Sequence, residues 1–87
     1  MERMTRKTAD GWTVPDVQQA LVRLAQWEDF AQAMLDERAQ LTQALEALRA
    51  QGQTKSWKFK ETMGRKLANR QVLDALQQAH LVQRELP

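Results

Sequence analysis

From Asp16 to Ala50 the chain runs for thirty-five residues without a glycine or a proline, between Thr13-Val14-Pro15 and Gly52. Nothing in that run gives a helix a backbone reason to stop. With Val17 at heptad position a, Val17, Leu24, Ala31, Arg38 and Leu45 fall at a, and Ala20, Trp27, Met34, Leu41 and Leu48 at d; nine of the ten are apolar. That is the spacing of a coiled-coil seam. Leu21 and Leu35 at e, with Phe30 and Ala44 at g, widen it, so more than one helix is expected to pack on it.

At 1.5 Å rise per residue the helix would run roughly 52 Å, too far for the short remainder of the chain to cover. The expected fold is therefore all-α: a long N-terminal coiled-coil-like helix (14–51), then two short helices (56–68 and 70–80) folded back on it, in a single 87-residue domain that oligomerises. A homodimer is the simplest form. Its interface would use Leu24, Trp27, Ala31, Met34, Arg38, Leu41, Leu45 and Leu48, with Trp27 and Phe30 as aromatic anchors. Arg38 at an a position would select register and strand number. The competing arrangement is a monomeric three-helix bundle in which the long helix breaks near Arg38.

Composition excludes several classes. The chain has no cysteine, hence neither a disulfide scaffold nor a cysteine zinc site, which fits a cytoplasmic protein. No run of about eighteen apolar residues is present, so neither a membrane span nor a signal peptide is expected. Glu28-Asp29 is a paired carboxylate on the polar face of the long helix, beside Trp27 and Phe30. Adjacent helical residues point about 100° apart, and no His or further acid lies a turn away on the same side, so neither acid–base work nor metal binding is expected. His80, the only histidine, reads as a capping or surface residue near a helix end. No phosphate loop or nucleophile–base pair occurs, and the chain is read as a non-enzyme with no cofactor or metal.

Residues 1–13 form a polar head, either a frayed arm or a hairpin turning at Asp10-Gly11 and lying on a helix through Trp12. Thr13 is the expected N-cap of the long helix, with Pro15 in its first turn and Asp16 completing a capping box. Gly52 is the expected stop. Beyond it Ser56 caps a helix with Phe59, Met63 and Leu67 as its apolar stripe, interrupted by Gly64, where either a backbone approaches closely or the helix is irregular. Asn69 reads as the N-cap of a third helix carrying Val72, Leu73, Leu76 and Ala79, followed by a tail of Leu81, Val82, Leu86 and Pro87. The junction is too tight for a DNA-reading helix-turn-helix.

Charge is unevenly spread. Residues 16–50 carry Asp16, Glu28, Asp29, Asp36, Glu37 and Glu46 against Arg23, Arg38 and Arg49, whereas residues 55–70 carry Lys55, Lys58, Lys60, Arg65, Lys66 and Arg70 against Glu61. A basic block of this kind meets phosphate or an acidic protein face, or is merely solvated. Lys55, Lys58, Lys60, Arg65, Lys66 and Arg70, with Trp57 for stacking, are the candidate nucleic-acid or partner-binding residues.

Two stretches carry a resemblance. Arg23-Leu24-Ala25-Gln26-Trp27-Glu28-Asp29, after the Met-Glu-Arg-Met-Thr start, resembles a segment of small uncharacterised proteins encoded by phages, prophages and mobile elements of Gram-positive gut bacteria. Gly52-Gln53-Thr54-Lys55-Ser56, then Phe59-Lys60-Glu61, Lys66-Leu67-Ala68-Asn69 and Val72-Leu73, is similar to the tail of such proteins. Phe30-Ala31-Gln32-Ala33 continues the helix where the first pattern has a Gly-Leu-Thr-Pro run, and His80 stands where the second has Gly. The resemblance implies an accessory protein that acts by binding in the cytoplasm of the bacterial host. Three roles are expected: a helical oligomer whose basic second helix contacts nucleic acid or an acidic protein surface; an anti-defence, anti-CRISPR-like inhibitor of a host nuclease complex; or an assembly component.

Overall fold

The computed structural model describes residues 1–82 and divides into two compact units, Met1–Phe30 and Ala31–Pro87. Its elements are β1 (Arg6–Thr8), β2 (Gly11–Thr13), α1 (Val17–Ala50) and α2 (Trp57–Gln78). It is mostly helical, with α2 packed against α1. No described helix is long and apolar enough to cross a membrane. Of the C-terminal tail, Leu81 and Val82 are described, while Leu86 and Pro87 lie outside the described residues.

In the first unit residues 6–13 form the hairpin, with Arg6 opposite Thr13, Lys7 opposite Trp12 and Thr8 opposite Gly11. Gly11 takes φ 134°, a conformation open to glycine, and the Thr8 hydroxyl donates to its carbonyl at 3.2 Å. Trp12 does not anchor the hairpin on the helix as expected. Its side chain stays exposed, with the Arg3 guanidinium and the Lys7 ammonium 5.4 and 5.5 Å from the ring centroid. The N-terminal segment is tied to α1 instead by Arg23, which donates to the Glu2 carbonyl. The cap of α1 also moves. Asp16, not Thr13, closes it: the Asp16 carboxylate accepts from Gln19 N at 3.0 Å, and the Asp16 carbonyl accepts from Ala20 N at 3.1 Å. A carboxylate at the N-terminal end of a helix also complements the helix dipole.

In the second unit α1 ends where Gly52 was expected to end it. Gly52 has φ 72°, Gln53 N reaches the Leu48 carbonyl at 2.9 Å, and Gly52 N reaches Arg49 O at 3.0 Å, the paired bonds of a Schellman stop. Ser56 caps α2, accepting from Phe59 N at 3.1 Å and donating to Gln53 O at 2.8 Å. Arg38 does not break α1.

The two short helices of the sequence reading are one. α2 runs unbroken through Asn69, which is only 2 % exposed and faces α1. Its Nδ2 donates to the Met34 carbonyl at 2.9 Å and to Glu37 Oε1 at 3.0 Å, so the side chain is held by tertiary partners on α1 instead of turning its Oδ1 back to cap a new helix. The buried face changes with it. Thr62, Asn69, Leu73 and Leu76 are buried and Phe59 and Lys66 half-buried, at spacings that alternate three and four along α2. Met63 and Leu67, read as core, are exposed. Leu73 and Leu76 pack with Ala31 of α1, flanked by Met34, Leu35, Val72 and Val82. Thr62 satisfies its hydroxyl on the Lys58 carbonyl at 2.7 Å. Gly64 lies in regular helix with open space where a Cβ would stand, so neither close approach nor irregularity explains it.

α2 closes with a second Schellman pair, His80 N to Gln77 O at 3.0 Å and Leu81 N to Leu76 O at 2.8 Å. His80 sits at φ 61°, the position a glycine would normally take.

Candidate functional site

The basic residues do not make one patch. Trp57, Lys60, Met63, Leu67 and Arg70 recur every three or four residues along α2, form its outward stripe and are all exposed. Lys58 and Arg65 lie about half a turn of the helical wheel from Leu67, on the other flank. Lys55 precedes the helix.

What the structure does bring together is Lys66 and Arg70 with Arg49, a residue the charge pattern had not singled out. These cations line an open recess of about 210 Å³ with Met63 and Leu67 as its apolar wall. Arg49 is positioned by the last turn of α1, where its guanidinium lies 5.4 Å from the Phe59 ring centroid. Lys66 is half-buried and also lines a second open recess, with Leu35, Arg38 and Glu46 of α1. Arg70 meets Asp74 at 3.9 Å, but both side chains are well exposed and so loose a pair leaves the guanidinium available. Trp57, at 72 % exposure, stands at the start of the stripe with its ring open for stacking. Arg49 was legible only as a residue in the last turn before a glycine stop, and that signal does not tell which neighbour it will face.

On α1 the expected interface residues divide. Leu41 and Leu45 are buried and Met34, Arg38 and Leu48 half-buried within the single chain, and Ala31 belongs to the core with Leu73 and Leu76. No second molecule is needed to cover these. Leu24 and Trp27 remain 54 % and 47 % exposed, and Val17, Leu21, Val22 and Phe30 are exposed with them. Trp27 and Phe30 meet edge to face at 6.4 Å between centroids, and with Met1, Glu2, Arg23 and Gln26 they line an open cleft of about 470 Å³.

The carboxylates of α1 are partly engaged: Asp36 accepts from Gln32 Nε2 at 2.9 Å, and Glu37 from Asn69. Glu28 and Asp29 are exposed, and among the described residues no group of three or more His, Asp or Glu side chains is placed to hold a metal ion. Compared with protein-family models, curated proteins and solved structures, the chain matches none.

Proposed function

We propose that this is a non-enzymatic helical binding protein that engages a polyanionic partner, nucleic acid or an acidic protein surface, through the outward stripe of α2, and that assembles through the open half of α1. The observation that carries the first part is the convergence of Arg49, Lys66 and Arg70 on a recess walled by Met63 and Leu67. Like charges crowded on one flank repel one another and gain when an anion sits between them. The apolar wall lets the same partner bury carbon as well as charge. The resemblance to phage and mobile-element accessory proteins supports a binding role in a bacterial cytoplasm. The second part rests on the exposure of Leu24 and Trp27 in a seam whose later positions are filled.

Fluorescence anisotropy with labelled single-stranded DNA, duplex DNA, RNA and an acidic amphipathic peptide, each at low and high salt, tests the first part. Binding is expected to fall steeply with salt, and the Lys66→Ala/Arg70→Ala pair is expected to weaken it about tenfold or more. Native-like binding by that double variant would sink the proposal. Affinity for the peptide that depends also on Met63 and Leu67 would select an acidic protein as the partner, and affinity indifferent to them would select phosphate.

A further inference from the structure

We infer that an acidic amphipathic helix of a partner protein docks lengthwise in the groove between α1 and α2. This rests on the polyanion-binding half of the reading above and commits it to one class of partner. The two recesses that Lys66 lines are parts of a single groove: one has Arg49, Met63, Leu67 and Arg70 on its walls, the other Leu35, Arg38, Ala39 and Glu46. At about 100° per residue, Leu35, Arg38, Thr42, Glu46 and Arg49 share one flank of α1, and Met63, Leu67 and Arg70 share one flank of α2. The helices run antiparallel, with Ala31 against Leu76 at one end and Arg49 against Phe59 at the other. That pairing turns the two flanks to the same side. From Leu35 to Arg49 the groove runs about 21 Å, the length of a helix of about fourteen residues.

What fits the groove follows from its lining. Leu35 is half-buried, and Met63 and Leu67 remain 42 % and 59 % exposed, so two helices by themselves leave apolar side chains wet along it. A third helix laid between them, with apolar side chains at i, i+3, i+4 and i+7, covers such a groove. Charge sets the sign of its flanks. Within the two recesses Arg38, Arg49, Lys66 and Arg70 face Glu46 alone. Asp74, 3.9 Å from Arg70, brings the balance to four cations against two carboxylates and leaves the groove basic. Apolar side chains between Arg and Lys are the complement of an apolar stripe between carboxylates. Nucleic acid fits less well. Among the described residues no aromatic ring lines either recess, so the bases of a single strand find nothing there to stack on. A duplex offers phosphate and sugar, which do not cover Met63 and Leu67 with carbon.

Fluorescence anisotropy on the full chain tests the occupant with three labelled probes. The first is a peptide of about fourteen residues with leucines at helical spacing and glutamates beside them. The second has the same composition with its leucines at alternate positions, and the third is oligothymidine. At moderate salt the patterned peptide is expected to bind about tenfold more tightly than either of the others, and to gain helix by circular dichroism as it binds. Ala39→Glu puts a negative charge on the exposed wall of the groove in a residue that keeps the helix, and is expected to weaken the patterned peptide about fivefold. The Met63→Ala/Leu67→Ala pair is expected to do the same, and Lys58→Ala/Arg65→Ala, on the other flank of α2, to leave binding unchanged. Equal affinity for the two peptides, or indifference to Ala39→Glu, would overturn the docked helix while leaving polyanion binding standing. Tighter binding of oligothymidine would overturn it by giving the groove to nucleic acid. A light-scattering mass of the chain alone that falls on Ala39→Glu would overturn it by giving the groove to a second copy. If no probe binds even at low salt, the polyanion reading fails with it.

Discussion

Replacing Asn69 by Asp changes one nitrogen to oxygen and little else in shape, and we expect it to cost about 4 kcal/mol at neutral pH. The native amide donates at 2.9 Å to the Met34 carbonyl and at 3.0 Å to Glu37 Oε1, in a position only 2 % exposed. The variant loses both donors, worth about 1 kcal/mol for the neutral bond and about 2 for the bond to a carboxylate. It also sets a buried negative charge against a carbonyl and a second carboxylate; two such charges about 4 Å apart repel by about 4 kcal/mol at an effective dielectric of 20. Glu37 is half-buried and can swing towards water, which relieves most of that repulsion and leaves a total near the figure given. Burial and the neighbouring carboxylate raise the new acid's pKa in the folded state above its unfolded value of about 3.9. The folded variant thus binds its proton more tightly than the unfolded chain does. The penalty is smallest below about pH 4 and grows by about 1.4 kcal/mol per pH unit above it, until the folded pKa is passed. Urea unfolding followed by circular dichroism, native against variant at pH 4 and pH 7, measures both numbers. A difference below 1 kcal/mol at pH 7, or one that does not change with pH, would show that the amide is not the donor across this interface. Asn69→Leu is the control. It loses the same two donors but introduces no charge and removes the Oδ1 that accepts no hydrogen bond among the described residues, so it should cost less than the Asp variant at pH 7 and by an amount that does not change between pH 4 and pH 7.

His80→Gly should stabilise the second unit by about 1 kcal/mol by relieving the left-handed residue at φ 61°, read as a rise in urea midpoint without a change in slope; a lower midpoint would mean that the imidazole itself holds the helix end. Gly64→Ala should add about 0.5–1 kcal/mol, since open space awaits the methyl in an exposed helical position, and thermal melting that shows a loss would contradict the regular helix there. Leu45→Ala, at a side chain 1 % exposed, should cost about 2–4 kcal/mol in any state of assembly, whereas Leu24→Ala should leave single-chain stability nearly unchanged and lower only the light-scattering mass.

The long helix was legible because a run without glycine or proline, patterned in heptads and closed by Gly52, leaves the backbone little choice. The hairpin was only half legible: Asp10-Gly11 marked the turn, but a two-stranded ribbon is marginal by itself and a frayed arm stood beside it as an equal alternative. Asn69 was misread because its local signal, a capping residue after a basic amphipathic stretch, is genuine but weaker than a buried partner supplied by Met34 and Glu37, thirty-five and thirty-two residues away. Splitting the helix there hid the pattern that could have corrected the reading. Phe59, Thr62, Lys66, Asn69, Leu73 and Leu76 keep one three-four spacing straight through the supposed break, and polar residues at its centre made Met63 and Leu67 look like the better core. The shift of the α1 cap from Thr13 to Asp16 is smaller: both residue types cap well, and Val14-Pro15 favours extended backbone ahead of the helix. Of the candidate binding residues, the separation of Lys58 and Arg65 from Lys60 was visible on a helical wheel, but Lys66, read there as lying away from Met63 and Leu67, joins them in the recess, since that follows from which side of α2 is buried.

The turn between the helices carries a kinetic consequence. Gly52 ends α1 and Ser56 starts α2, with each helix end hydrogen-bonded inside the same few residues, so the pairing is nucleated locally at little loop-closure cost. Pairing can then spread outward from the turn, through Arg49 with Phe59 and on to Ala31 with Leu76, so the last contacts to form are those furthest from it. Stopped-flow measurements should find that Ser56→Ala mainly slows folding and Leu76→Ala mainly speeds unfolding. The reverse assignment would place the nucleus at the open end of the helical pair.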